Sequence, residues 1–136
     1  MILIIDCGSI KTSKIASNLS ELGEDSITLP FTDEWKNIDQ YKAIVISGAP
    51  ILVTEIDTQP YIDKFQFLAT TTTPVLGICF GHQLLGMVYG ANAERCPEAR
   101  KPIEIIKTST SSLFKNLSIT SLFAEDHCEM ITLPNH

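Results

Sequence analysis

Pro74-Val75-Leu76-Gly77-Ile78-Cys79-Phe80-Gly81-His82-Gln83-Leu84-Leu85-Gly86 changes its hydrophobic period in the middle. Val75, Leu76 and Ile78 form an apolar run of the length of an interior strand, entered through Pro74, whereas Leu84, Leu85 and Val88 recur at helical spacing until Gly90 stops them. Cys79 falls at the change of period. A free cysteine is by default a small buried hydrophobe. Here Gly77 and Gly81 frame it as G-x-C-x-G, and small residues on both sides let a strand end and a helix start approach closely. The pattern predicts a sharp strand-turn-helix corner with the geometry of a nucleophile elbow, cysteine standing where serine is more familiar. The unpaired N–H groups of the first helical turn favour a thiolate there and can also hold the oxyanion of an acyl-transfer intermediate.

Outward from that corner, strands and helices alternate. Ile2 to Ile5 reads as a buried strand, and Ile15, Leu19 and Leu22 recur at helical spacing until Gly23. Ile27 to Leu29 is a short strand ending at Pro30. Residues 31–42 read as a polar connection around Trp35, and Ala43 to Ser47 as the next core strand. Tyr61, Phe65 and Leu68 line one face of a helix, Thr70 to Thr73 is a polar loop, and the Val75 strand follows. This succession predicts an α/β fold, a mostly parallel sheet with helices on both faces, in a single domain over residues 1–136. Ligands of such sheets bind at the carboxyl ends of the strands, where Ser47-Gly48-Ala49 and Cys79 both emerge. After Gly90 the pattern weakens. Ile103 to Lys107, Ser121 to Phe123 and Met130 to Leu133 read as strands or their approaches, with a Ser/Thr-rich connection ending in Leu113 and Phe114.

Composition narrows the function class. The chain has 136 residues, 44% of them hydrophobic, enough for one core, and its 19% charged fraction is too low for a disordered tail. Ten basic residues against sixteen acidic ones leave a net charge of −6, so no electrostatic footprint for nucleic acid is visible. Lys11 and Lys14 are far in sequence from Arg95, Arg100 and Lys101, and both groups read as solvated faces. The apolar stretch Met1 to Ile5 is too short for a membrane span and has no basic leader. Cys7, Cys79, Cys96 and Cys128 have neither metal-ligand nor small-secreted spacing. These features predict a cytoplasmic protein with reduced thiols, no metal, no nucleic acid and no membrane partner.

The string P-V-L-G-I-C-F-G-H-Q-L-L-G resembles the nucleophile segment of the class I, triad-type glutamine amidotransferases, and further marks of that family follow in order. Met1 to Asp6 with Gly8 resembles its opening strand and turn. Ile44-Val45-Ile46-Ser47-Gly48-Ala49-Pro50 resembles its strand ending in S-G-G-P. His127-Cys128-Glu129-Met130-Ile131-Thr132-Leu133-Pro134 resembles its late S-H-x-D segment, which runs through a hydrophobic residue to L-P. Among subfamilies the chain looks most like the glutaminase subunit or domain of GMP synthetase.

The resemblance implies a flavodoxin-like fold and a glutaminase without metal or organic cofactor. Cys79 would attack the side-chain amide of glutamine, release ammonia to a synthetase subunit or domain, and leave a glutamyl thioester for water. Carried over by residue, the backbone N–H groups of Phe80 and Ala49 form the oxyanion hole, and Gly48, Gln83 and His127 lie on the substrate side. Losing one oxyanion donor costs roughly 3 kcal/mol of transition-state stabilisation.

Two departures from the family pattern stand out. Ala49 replaces the second glycine of S-G-G-P, a change that strains the backbone by about 1 kcal/mol if φ there is positive and is harmless if it is negative. The family's base and its orienting carboxylate come from a late His-Pro-Glu, which occurs nowhere in this sequence. None of His82, His127 and His136 is expected to replace that base. The resulting expectation is a domain truncated at its C-terminal end, with the base beyond residue 136. Two rival functions remain: a γ-glutamyl hydrolase-type cysteine hydrolase, and a non-catalytic regulatory domain motivated by the missing motif.

Overall fold

A computed structural model of the chain describes residues 1–108 and 111–133, apart from the side chain of residue 113. Pro134 and His136 lie outside the described residues. The structure divides into two compact units, Met1–Glu94 with the chain from Ile131 onward, and Arg95–Met130.

The first unit is built on four parallel strands, β1 (Ile2–Asp6), β2 (Ser26–Pro30), β3 (Ala43–Ile46) and β4 (Val75–Gly77), in the order β2-β1-β3-β4. The registers pair Ile4 with Thr28 and with Val45, and Val45 with Leu76. Because side chains alternate along a strand, each of the two central strands feeds both faces. Ile2, Ile4 and Val45 meet Ile15, Ala16 and Leu19 of helix α1 (Thr12–Glu21) on one face. On the other, Leu3, Ile5, Ile44 and Ile46 meet Phe65, Leu68, Phe80, Leu84 and Met87. Phe65 closes helix α2 (Gln59–Lys64), whose first turn accommodates Pro60, and Phe80, Leu84 and Met87 belong to helix α3 (Phe80–Val88). Gly23 and Gly90 take positive φ, 76° and 85°, just beyond the ends of α1 and α3, where a side chain would be strained.

The second unit contains most of strand β5 (Ala93–Ala99), which pairs with β8 (His127–Ile131), and the antiparallel pair β6 (Pro102–Ile106) and β7 (Thr120–Ala124).

Several expectations need correction. Among the described residues β4 is the edge of the sheet, not an interior strand, and Leu76 is 54% exposed. The helix expected through Tyr61, Phe65 and Leu68 is six α-helical residues followed by a 3₁₀ turn at Gln66–Ala69, which still buries Phe65 and Leu68. The connection over residues 31–42 is not merely polar. Phe31 stacks on Tyr61 at 5.1 Å, and Trp35 packs against Phe65 at 5.0 Å, with the Lys64 ammonium over its ring. Leu22 is left exposed at the end of α1. The last strand starts at His127, earlier than expected. Strand β5 was not anticipated because Ala93-Glu94-Arg95-Cys96-Pro97-Glu98-Ala99 has no apolar alternation.

The corner after β4 leaves its two glycines no room for a side chain. A Cβ added to Gly77 would fall 2.5 Å from the Gly81 carbonyl oxygen and 2.7 Å from the His82 nitrogen, and one added to Gly81 would overlap the Ile46 carbonyl. Backbone atoms cannot step aside as a flexible side chain can. Gly81→Ala is therefore expected to cost about 3 kcal/mol of stability or more, read as a lowered urea midpoint; an unchanged midpoint would show that the corner is looser than described.

Candidate active site

Three backbone hydrogen bonds set the corner. Ile78 N–H donates to Ile46 O, Gly81 N–H to Ile78 O, and Gln83 N–H to Cys79 O, each at 3.0 Å. Between them Cys79 adopts φ 53° and ψ −113°. Among the described residues only Asn37 and Cys79 are non-glycine positions with positive φ. Such a conformation costs on the order of 1–3 kcal/mol and persists only where the surroundings over-determine it. Here the glycine contacts on either side do so, and the outcome is an exposed thiol at the head of α3.

The loop after β3 forms one wall beside that thiol. A methyl built on Gly48 would lie 3.4 Å from Cys79 Cβ and 3.9 Å from its Sγ, so the absent side chain leaves open the space next to the sulfur. Ser47, fully buried, anchors the loop: its Oγ accepts from Cys7 N–H and donates to Gly48 O, both at 2.9 Å, while Ser47 N–H donates to Ile5 O at 3.0 Å. Ala49 is outside the positive-φ set, so the alanine that replaces the family's second glycine is unstrained. The N–H groups of Ala49 and Phe80 donate to no backbone acceptor among the described residues. The Phe80 ring is buried against Tyr61 in an edge-to-face contact at 5.5 Å, which holds the first turn of α3.

Gln83 sits one turn along α3 from Cys79 and is nearly buried. His82 is on the same helix and lines a different hollow, with Leu85, Tyr89 and Leu133. Among the described residues of this unit, no imidazole hydrogen-bonds Cys79. His127 belongs to the second unit, where its ring meets Cys96 and Glu125. His136 lies outside the described residues. Among the described residues no group of three His, Cys, Asp or Glu side chains is placed to hold a metal, and no helix is long and apolar enough to cross a membrane.

Ser47 and Cys7 are the residues whose roles sequence reasoning missed. The available signal was a serine closing an otherwise apolar strand; its partner forty residues earlier left none. Burial, and then the charge of Asp6, push the Cys7 thiol up from 9.0 to about 12, although a hydrogen bond with Ser47 pulls the other way. A thiol kept protonated in the folded chain contributes stability that is present below its unfolded value and lost as pH rises through its folded one. Urea stability is thus expected to fall between about pH 9 and 12, and Cys7→Ala should flatten that fall. An equally steep loss in the variant would assign it to other groups.

The chain matches the family described as Glutamine amidotransferase class-I over residues 3–136. It is 35% identical to a protein of Helicobacter pylori named GMP synthase [glutamine-hydrolyzing], over 98% of this chain and 27% of that protein. A Petrotoga mobilis protein of the same name is 32% identical, over 96% of this chain and 25% of its own length. The chain thus spans about a quarter of the length of these curated relatives. Its fold is similar to the crystal structure of a putative GMP synthase subunit from Thermoplasma acidophilum, with a TM-score of 0.85 at 21% identity over 98% of this chain and 67% of that one. A glutamine amidotransferase from Thermotoga maritima gives a TM-score of 0.81, also at 21% identity, over 98% of this chain and 62% of that one.

Proposed function

We propose, for a chain that belongs to the class-I glutamine amidotransferase family, that Cys79 is the nucleophile of a glutaminase. The observation that carries the reading is the strained, exposed Cys79 at the head of α3, with the Gly48 backbone beside its sulfur. Positive φ turns the side chain out of the strand-helix corner, toward the space that the missing Gly48 side chain leaves open.

In the proposed reaction the thiolate sulfur attacks the side-chain amide carbon of glutamine. The C=O electrons move to oxygen, and the N–H groups of Phe80 and Ala49 hold that oxyanion. Collapse expels the nitrogen, which takes up a proton and departs as ammonia. Water then cleaves the glutamyl thioester to glutamate and returns the thiol. Gly48 and Gln83 belong to the substrate side of the proposal. The ammonia acceptor is a synthetase subunit or domain, and the names of the relatives favour one that makes GMP. The setting is cytoplasmic.

Thiol attack and ammonia departure both need a proton carrier, and within the first unit no described imidazole hydrogen-bonds Cys79. That favours a second reading, a non-catalytic regulatory domain. The two separate in one assay. With a glutamine-shaped electrophile, a working site labels Cys79 and glutamine protects it, whereas a dead module leaves Cys79 no more reactive than a surface thiol and indifferent to glutamine. In the assembled synthetase, Cys79→Ala is expected to cut glutamine-dependent synthesis by roughly 10⁴-fold or more while synthesis from free ammonia continues. Glutamine use surviving that substitution would refute the assignment of the nucleophile. Glutamate release from glutamine rather than from a γ-glutamyl peptide separates the proposal from a γ-glutamyl hydrolase.

A further inference from the structure

A second thiol lies in a thiol-imidazole-carboxylate row, wholly inside the unit Arg95–Met130. Cys96 Sγ on β5 is 3.5 Å from His127 Nδ1 on β8, and His127 Nε2 is 3.1 Å from Glu125 Oε1. The sequence offers no hint of the row, since Cys96 and His127 are 31 positions apart and meet only because β5 pairs with β8. The carboxylate is an acceptor only, so the ring nitrogen facing Glu125 carries the hydrogen and donates it. In the neutral ring the other nitrogen, Nδ1, then presents its lone pair to the Cys96 thiol. This arrangement is a nucleophile, a base in hydrogen-bond reach and a group that orients the base. Cys96 is half-buried and the His127 side chain is 40% exposed, so small reagents have access.

We infer that Cys96 is an activated thiol and a site of covalent modification by small soft electrophiles, hydroperoxides among them, with His127 as its base and Glu125 as a positioning residue. The inference does not rest on the glutaminase reading and concerns a different sulfur from Cys79. With a hydroperoxide, His127 Nδ1 takes the thiol proton and the sulfur attacks the hydroxyl oxygen of the peroxide. An S–O bond forms as the O–O bond breaks, and the departing alkoxide or hydroxide takes the proton back from the imidazolium. Sulfur is oxidised to the sulfenic acid and the peroxide is reduced to the alcohol or water. With iodoacetamide the same thiolate forms an S–C bond and iodide leaves.

The remaining cysteines supply internal references. Cys7, whose thiol is pushed up to about 12, should stay unmodified near neutral pH while the chain is folded, so its labelling reports unfolding. Cys128, half-buried on β8, has the Arg95 guanidinium against its sulfur at 3.5 Å but no imidazole contact among the described residues.

The test is site-resolved mass spectrometry of the intact chain near neutral pH, with iodoacetamide in one arm and hydrogen peroxide followed by dimedone trapping in the other. Cys96 is expected to react at least about 10-fold faster than Cys128 in both arms. His127→Asn keeps a hydrogen-bonding group near the sulfur but no base, and should remove that advantage. Glu125→Gln keeps the shape without the charge and should lower the Cys96 rate several-fold. If His127→Asn speeds the labelling of Cys128, in the same unit, that unit is unfolded in the variant and Glu125→Gln decides alone. Cys96 rates that equal those of Cys128, or that do not respond to the folded variants, overturn the inference. Labelling of Cys79 does not enter the result, so this inference and the glutaminase reading fail separately.

Discussion

Two stretches of backbone come closer together at the end of β4 than any side chain allows, and the candidate site follows from that approach. Gly77 faces the Gly81 carbonyl, and Gly81 lies on the carbonyl of Ile46. With both neighbours held, the residue between strand and helix has little choice of backbone conformation. Cys79 takes a positive φ that a cysteine on a free chain avoids. Strain at one residue is tolerated because the sheet and the buried face of α3, through Phe80 and Leu84, stabilise the surroundings. The exposed thiol is the visible result.

The same logic extends to the wall beside it. In the parallel sheet the carboxyl ends of β1, β3 and β4 lie side by side, and their loops emerge together. Ser47 links the first two: one hydroxyl satisfies the Cys7 amide and the Gly48 carbonyl at once. The Gly48 loop, which the proposed reaction needs for an oxyanion donor, is tied to the core through a buried polar group with two partners. A buried hydroxyl so engaged is costly to remove, because both partners lose their hydrogen bond at once. The second unit follows other rules. Its strands are more exposed, and its notable chemistry comes from side chains that β5 and β8 bring into line.

Much of this was legible beforehand, and the reasons differ by element. Strands β1 and β3 announce themselves as continuous apolar runs because both faces of a parallel sheet are covered. The ends of α1 and α3 are readable because Gly23 and Gly90 occupy positions that need positive φ. The glycine frame around Cys79 predicted the corner, since close backbone approach leaves glycine as its trace. Where the reading failed, longer-range packing had overridden local pattern. Trp35 and Phe31 sit among polar neighbours in sequence yet pack with Tyr61 and Phe65, and the helix through Tyr61 changes to a 3₁₀ turn while still burying Phe65 and Leu68. Strand β5 has no hydrophobic period and exists because β8 pairs with it.

By itself, then, the order of residues determined the alternation of strands and helices, the thiol at the strand-helix junction and the absence of a His-Pro-Glu motif, all of which are local in the chain. Tertiary structure alone decided that Ala49 is unstrained, that Ser47 fastens the Gly48 loop through Cys7, and that Cys96 meets His127 and Glu125. The physical reason is separation. A turn or a helix stop is specified by neighbours a few residues apart, whereas a backbone angle in a loop, or a row of side chains across paired strands, is set by contacts between segments tens of residues distant.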